Sequence, residues 1–371
     1  MVERLSVTKN VKELMELYGI PGEIVMCLRT EGGHINDTYY VVALSPIGTR
    51  REFIFQRVNT SVFTEPLKIM HNISVITEHI ARKYGKGSKE TTQIISYLHN
   101  DEGRNYSILS DGSFWRVSEY VVGVGYEQID DPSILKDAGY MFGSFQNMLS
   151  DLDTDMLAYT IPNFHNTAKR FEAFDKAVND DVEGRVVKAQ KEIKFFYDHR
   201  DIADKLVGLE KTGVLPLRVT HNDTKYNNML VNPIYKTPLC VLDLDTVMPG
   251  LSAHDYGDAI RCAANTSVED ETDLSKVALD KAYFEAFTEG FVGAAKEFLT
   301  PNEVDSLALG AVTITYELAS RFLADYLNGD TYFKISRSKH NLERARCQIR
   351  LAEDMMANYD YMSSTIKRYY Q

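Results

Sequence analysis

The stretch His221-Asn222-Asp223-Thr224-Lys225-Tyr226-Asn227-Asn228, with the apolar run that ends in Leu242-Asp243-Leu244-Asp245, constrains this chain more than any other part of it. Leu215-Pro216-Leu217-Arg218-Val219 leads into the polar loop and Met229-Leu230-Val231 leaves it. Leu239-Cys240-Val241-Leu242 then delivers Asp243 as a buried strand would. Strand, loop, strand and acid in that order bring two carboxylates and an amide oxygen to one end of a small sheet. Such a set suits proton acceptance by Asp223 and capture of a hard cation, Mg2+, by Asn228 and Asp243. An Asn pair is also ordinary turn chemistry, and Asn227 competes locally for the role of Asn228. Asp245 shares Asp243's face if the strand alternation continues; otherwise it binds loop backbone.

The Asp-x4-Asn spacing after a His is that of a protein-kinase catalytic loop, in which the Asp receives the proton of the attacking hydroxyl and the Asn holds a metal ion. The stretch resembles the aminoglycoside-phosphotransferase and choline-kinase superfamily. Within it, the whole chain resembles the N-acetylhexosamine 1-kinases. The matching segments are Gly33–Asn36, Gln56–Phe63, Trp115–Val117, Arg218–Lys225, Asp243–Gly250, Asp255–Arg261, Thr288–Gly293 and Arg321–Asp330. The resemblance implies an α+β, two-lobed protein-kinase-like fold, with a small antiparallel-sheet N-lobe over residues 1–122 and a larger, mainly helical C-lobe over 123–371. It implies ATP and Mg2+ as cofactor and metal, and a small-molecule sugar as acceptor. Asp223 would face the sugar's anomeric hydroxyl, with Asn228 and Asp243 on the metal, while His34 and Arg321, together with Asp223 and Asp243, would line the sugar pocket. Asp255 or Asp258 would order the catalytic loop by accepting hydrogen bonds.

Two of those positions have plainer readings. Arg321 lies four residues after Glu317 and four before Asp325, the spacing of a surface ion-pair ladder on a helix. His34, in Glu31-Gly-Gly-His-Ile-Asn36, is equally the tip of a hairpin whose glycines supply positive φ. The chain also departs from protein kinases. No Gly-rich phosphate loop is present beyond Gly32-Gly33, and Gln56 stands where the third-strand Lys belongs. The resembled hexosamine branch shares this Gln. Gln56 is therefore the expected nucleotide-side residue, phosphate charge rests mostly on magnesium, and adenine meets main-chain groups of the hinge around Glu119 to Val121.

The chain of 371 residues carries a formal charge of −12 without a Lys/Arg run, which argues against nucleic acid and anionic membrane as partners. Cys27, Cys240, Cys262 and Cys347 are widely spaced, as expected of reduced thiols rather than a disulfide frame. No apolar run of membrane-spanning length and no signal-like N-terminus is evident, so a soluble cytoplasmic protein is expected, as a monomer or small homo-oligomer. Strands are predicted over 24–28, 38–42, 52–55, 93–97, 107–109 and 114–122. Helices are predicted over 7–17, 65–84, 131–150, 167–178, 184–209, 253–264, 274–298, 302–327 and 342–362. The tyrosine-rich tail is expected to pack as a terminal helix.

Overall fold

The computed structural model describes residues 2–30, 35–126, 129 and 131–371. It opens with α1 (Val2–Leu17), followed by β1 (Glu23–Arg29), β2 (Asp37–Leu44), β3 (Arg50–Arg57), α2 (Pro66–Tyr84), the short α3 (Lys89–Thr92), β4 (Ser107–Ile108) and β5 (Phe114–Glu119). The five strands form one antiparallel sheet in the order β1-β2-β3-β5-β4. Alternation decides its faces. Tyr39, Val41 and Ala43 of β2, Phe53 and Phe55 of β3, and Trp115 and Val117 of β5 point one way, onto Val11, Leu14 and Met15 of α1.

Residues 93–97, predicted as a further N-terminal strand, instead leave that sheet. Ile94 forms a single parallel bridge to Val241, with Ile95 N donating to Val241 O at 3.1 Å and Val241 N to Gln93 O at 2.8 Å. The apolar pattern was real, but its partner is the strand that precedes Asp243.

The rest is mainly helical: α4 (Pro132–Met148), α5 (Thr167–Asp180), α6 (Gln190–Asp198), α7 (Ile202–Lys211), α8 (Ser252–Ala263), α9 (Lys281–Ala295), α10 (Pro301–Leu327), α11 (His340–Ala357) and α12 (Tyr359–Tyr370). Between α7 and α8 lie two small antiparallel pairs, β6 (Arg218–Thr220) with β9 (Met248–Gly250) and β7 (Met229–Val231) with β8 (Pro238–Val241). Three predicted helices are shorter or broken. The 184–209 stretch divides at His199, whose Nδ1 sits 2.9 Å from Phe195 O and ends α6. The 274–298 stretch begins only at Lys281, because Asp280 accepts Tyr283 N as its cap. The 342–362 stretch breaks at Asn358, whose side chain bonds Asp354 O. The tail does pack, with Met362 and Ile366 buried on α12. Cys240, Cys262 and Cys347 are free thiols.

Helix α10 is the axis of this part. Thr300 and Glu303 form a capping box at its start, Glu303 also takes Arg218 Nε and Nη2, both at 2.9 Å, and Pro301 fits the first turn. This helix is long and apolar enough to cross a bilayer, contrary to the sequence expectation, yet most of it is buried by neighbouring helices.

α8 crosses α10 at backbone contact. A Cβ on Gly310 would lie 2.1 Å from Ala253 O, and one on Gly257 2.4 Å from Gly310 O. Neither carbonyl can move without its helix. Gly310→Ala should therefore lower stability by about 1–3 kcal/mol, the usual cost of overpacking. Gly208, inside α7 with open space around it, should gain about 0.5–1 kcal/mol as Ala. Thermal melts of the two variants should move in opposite directions.

Candidate active site

The polar loop is built as a turn between β6 and β7 that has no strand partner of its own, so its amides need acceptors. Asp255 of α8 provides them. Its carboxylate accepts His221 N at 2.9 Å, Asn222 N at 2.6 Å and Gln146 Nε2 at 2.6 Å. Its backbone oxygen accepts Thr224 Oγ1 at 2.5 Å. Burial pushes this acid above the usual carboxylate range, while His221 and the amide donors hold it down. The turn bends through Asn222, at φ 64, whose Nδ2 donates to Thr246 O at 2.9 Å.

His221 joins the two acidic segments. A carbonyl can only accept and an amide can only donate, so its Nε2 donates to Leu242 O at 2.8 Å and its Nδ1 accepts Asp223 N at 3.3 Å. Phe142 and Phe145 hold the ring edge-on, with centroids at 5.4 and 5.7 Å. Leu242 N in turn donates to Asn228 O at 2.8 Å. Leu242 is thus bonded on one side to Asn228 and on the other to His221, which fixes Asp243 beside the loop.

Of the three residues expected to meet, Asp223 and Asn228 are in direct contact, and Asp243 follows Leu242, which is bonded to Asn228. Asn228 Nδ2 donates to Asp223 Oδ2 at 2.9 Å and to Asp223 O at 2.8 Å, while Asn227 is exposed. Lys225 Nζ lies 2.8 Å from Asp223 Oδ1, and the Asp223 carboxylate raises the Lys225 pKa above that of a free lysine. Asp243 follows in the left-handed region, at φ 54 and ψ 64, a conformation that costs a non-Gly residue about 1–2 kcal/mol. Crowding by protein, then the carboxylates of Asp245 and Asp223, push its acid up to about 7. The side chain is open to solvent, so water in the cleft tempers the first of these causes. A divalent cation would offset the other two. An amide oxygen and a carboxylate beside concentrated negative charge fit Mg2+, which keeps several waters and takes few protein donors.

Asp245 does not share that face. Residues 244–246 form a 3-10 turn rather than a continued strand, and Asp245 turns away into the protein, 1% exposed. It pairs with Arg116 of β5 and accepts Asn36 Nδ2 at 2.8 Å. Gln56 lies opposite Arg116 in the ladder and accepts its Nε at 2.8 Å, with its own Nε2 on Thr38 Oγ1 at 2.9 Å. Glu119 ends β5 with its carboxylate 65% exposed and paired with Arg51 at 3.0 Å. Val121 follows, partly buried, after Tyr120 N has bonded Glu52 O. His34 lies outside the described residues.

Arg321 is not part of an ion-pair ladder. Buried Glu317 is taken by His165 Nδ1 at 3.1 Å and Thr167 Oγ1 at 2.6 Å. Asp325 accepts the amides of Thr331, Tyr332 and Phe333. Among the described residues Arg321 has neither a hydrogen bond nor an ion pair; its guanidinium stands over Tyr332 and Phe333, 5.8 and 5.5 Å from the ring centres. His165 Nε2 reaches Asn222 O at 3.4 Å, so the wall carrying Arg321 is tied to the loop.

A phosphotransferase enzyme family model matches residues 27–294, more than half of the chain and all of the loop just described. The chain belongs to that family. Solved structures share its fold at low identity. An amicoumacin kinase in complex with AMP-PNP and Ca2+ superposes with a TM-score of 0.59 at 12% identity, over 94% of this chain and 96% of that one. A choline kinase from Cryptosporidium parvum Iowa II gives 0.56 at 10% identity, over 98% and 99%. A microcompartment-associated aminopropanol kinase gives 0.55 at 14% identity, over 98% and 99%.

In this phosphotransferase, four site neighbours escaped sequence reasoning: Arg116, Gln146, His165 and Lys225. Lys225, two residues from Asp223, and Arg116, within the matching segment Trp115–Val117, carried a local signal. Gln146 and His165 reach the site from distant elements.

His254 of α8 is buried against His165, with ring centroids 5.1 Å apart. Burial first, then His165, push its pKa down to about 3. A depressed folded-state value favours the neutral ring. Its stabilising contribution is present above the ordinary histidine value of about 6.5 and is lost as pH falls from there toward about 3. His254→Gln should flatten that acid limb in melting temperature measured against pH.

Proposed function

We propose that the protein is an ATP- and Mg2+-dependent kinase that phosphorylates the C1 hydroxyl of N-acetylhexosamines, N-acetylglucosamine or N-acetylgalactosamine, to the α-1-phosphate. The observation that carries this reading is the Asp223–Asn228 bond with Leu242 bridging to Asp243, which puts a proton acceptor next to a fitting donor pair for a metal. Asp223 takes the proton of the attacking hydroxyl as its oxygen bonds to phosphorus, and the electron pair of the breaking bond leaves with the nucleotide. An anomeric hydroxyl is more acidic than an ordinary alcohol, so a carboxylate suffices. Magnesium, held by Asn228 and Asp243, would neutralise phosphate charge. Lys225, beside Asp223, adds positive charge close to where the phosphoryl group passes.

The acceptor wall supports a polar, uncharged acceptor over the amines named by several solved relatives. Glu317 is engaged by His165 and Asp258 by Arg261 at 2.9 Å, while the guanidinium of Arg321 has no hydrogen bond or ion pair among the described residues. The Arg321 guanidinium donates to sugar hydroxyls and an acetamido oxygen, whereas it would repel a choline-like cation placed against it.

A coupled ADP-release assay across a panel of acceptors, with phosphorus NMR of the product from each C4 epimer, tests both acceptance and the site of transfer. Turnover of choline without turnover of acetylhexosamines would replace this reading with an amino-alcohol kinase. Asp223→Asn should lower kcat by about 10²–10⁴, the usual worth of a positioned acid or base, with ATP affinity retained. Near-normal turnover in that variant would remove Asp223 as the base.

A further inference from the structure

Protein kinases place a Lys on the third strand and pair it with a Glu on the following helix. Here the third-strand residue is the neutral Gln56, and Glu78 of α2 is exposed. The cation comes from the next strand. Arg116 sends Nε to Gln56 Oε1 at 2.8 Å and Nη1 to Asp245 Oδ1 at 2.5 Å, with Met70 Sδ at 3.9 Å and the Tyr97 ring centre 4.7 Å from the guanidinium carbon. Both members of the pair are 1% exposed. The other Asp245 oxygen accepts Asn36 Nδ2 at 2.8 Å, Asn36 Oδ1 accepts Asn59 N at 2.9 Å, and the Asp245 carbonyl accepts Thr160 Oγ1 at 3.2 Å.

We infer that Arg116 and Asp245 are positioning residues: their ion pair ties the sheet to the segment after Asp243 and holds the Asp243 carboxylate on its metal, in place of the strand-lysine and helix-glutamate pair. The backbone around Asp243 carries the argument. Asp243 sits in a left-handed conformation that its neighbours must impose. Leu242 fixes one side, through Asn228 O and His221. On the other side, Asp245 is fixed by Arg116 and by Asn36, which immediately precedes β2. Apolar replacement of a buried ion pair is often neutral or stabilising, so the pair is weak evidence of stability; what it adds here is orientation. Two of the guanidinium's nitrogens are committed inside the protein, so it acts through Asp243 rather than on phosphate.

The inference rests on the proposed Mg2+-nucleotide site. Calorimetry of ADP with and without Mg2+ gives one ratio, the tightening that the metal produces. Wild-type protein in which Mg2+ produces no tightening would sink the nucleotide half of the functional reading before any variant is made. Failure to phosphorylate any sugar would sink only the acceptor half and leave the ratio readable. In Arg116→Lys, and in the apolar pair Arg116→Met with Asp245→Leu, the ratio should fall by about 10–100-fold, as when a partner behind a metal ligand is lost. Metal-free ADP affinity should hold in both.

A merely structural role predicts a folded double variant with the wild-type ratio, and that result overturns the inference. Equal loss with and without Mg2+ also overturns it, by making Arg116 a phosphate ligand. Gln56→Leu removes the bond that aims Nε, together with the Gln56 Nε2 bond to Thr38 Oγ1, and leaves the Arg116–Asp245 ion pair in place. The ratio must fall there too, and an unchanged value counts against the inference even if the charge variants do not fold.

Discussion

The carboxylate of Asp255 is the interaction on which the site depends. A loop between two three-residue strands leaves amides with no ladder partner, and buried amides without acceptors are costly. Asp255 gathers two consecutive loop amides and one side-chain amide on a single buried group, and its backbone oxygen secures Thr224 as well. The bonds are short because the acceptor is charged. Everything downstream inherits that fixed geometry. His221, held by its amide, can aim Nε2 at Leu242, and Leu242 can carry Asp243 back to Asn228. The glycine crossing of α8 on α10 sets where Asp255 itself stands.

The acidic centre was legible because its logic is local. Asp223, Asn228 and the bridge through Leu242 lie within a short span whose order of strand, loop and strand the apolar runs spell out. The sheet was legible for the same reason: Phe53 and Phe55, or Tyr39 and Val41, alternate visibly along their strands. The place of Asp245 is open in the sequence because alternation holds only while the strand does, and the chain turns at residue 244. Arg116 was missed because its meaning comes from register. Nothing near Trp115-Arg116-Val117 announces that Gln56 stands across the ladder or that an acid some 130 residues later completes the pair.

The Arg321 helix shows the opposite failure, a local pattern that was present and unused. Glu317 and Asp325 have the spacing of ion-pair partners, but each finds better-placed donors, His165 and Thr167 for one and three successive amides for the other. Pairing Arg321 on a solvated helix face is worth only tenths of a kcal/mol, whereas satisfying buried carboxylates is worth several times that. The guanidinium is left over because its neighbours had stronger claims on them. Likewise the apolar 93–97 stretch found Val241 rather than the N-terminal sheet, which braces the strand leading to Asp243 from the far side.

Arg321 and Glu317 share one stiff rod, and Glu317 grips the loop through His165. The part of α10 that carries Arg321 and the loop that carries Asp223 are therefore linked through Glu317 and His165. A change of acceptor size cannot be absorbed by bending α10. It must be taken up by the segment at 329–333, whose shape a single aspartate dictates, or by the smaller lobe across the cleft. Divergence in substrate preference on this scaffold is thus channelled into a few residues at the rim, while the catalytic floor stays rigid beneath them.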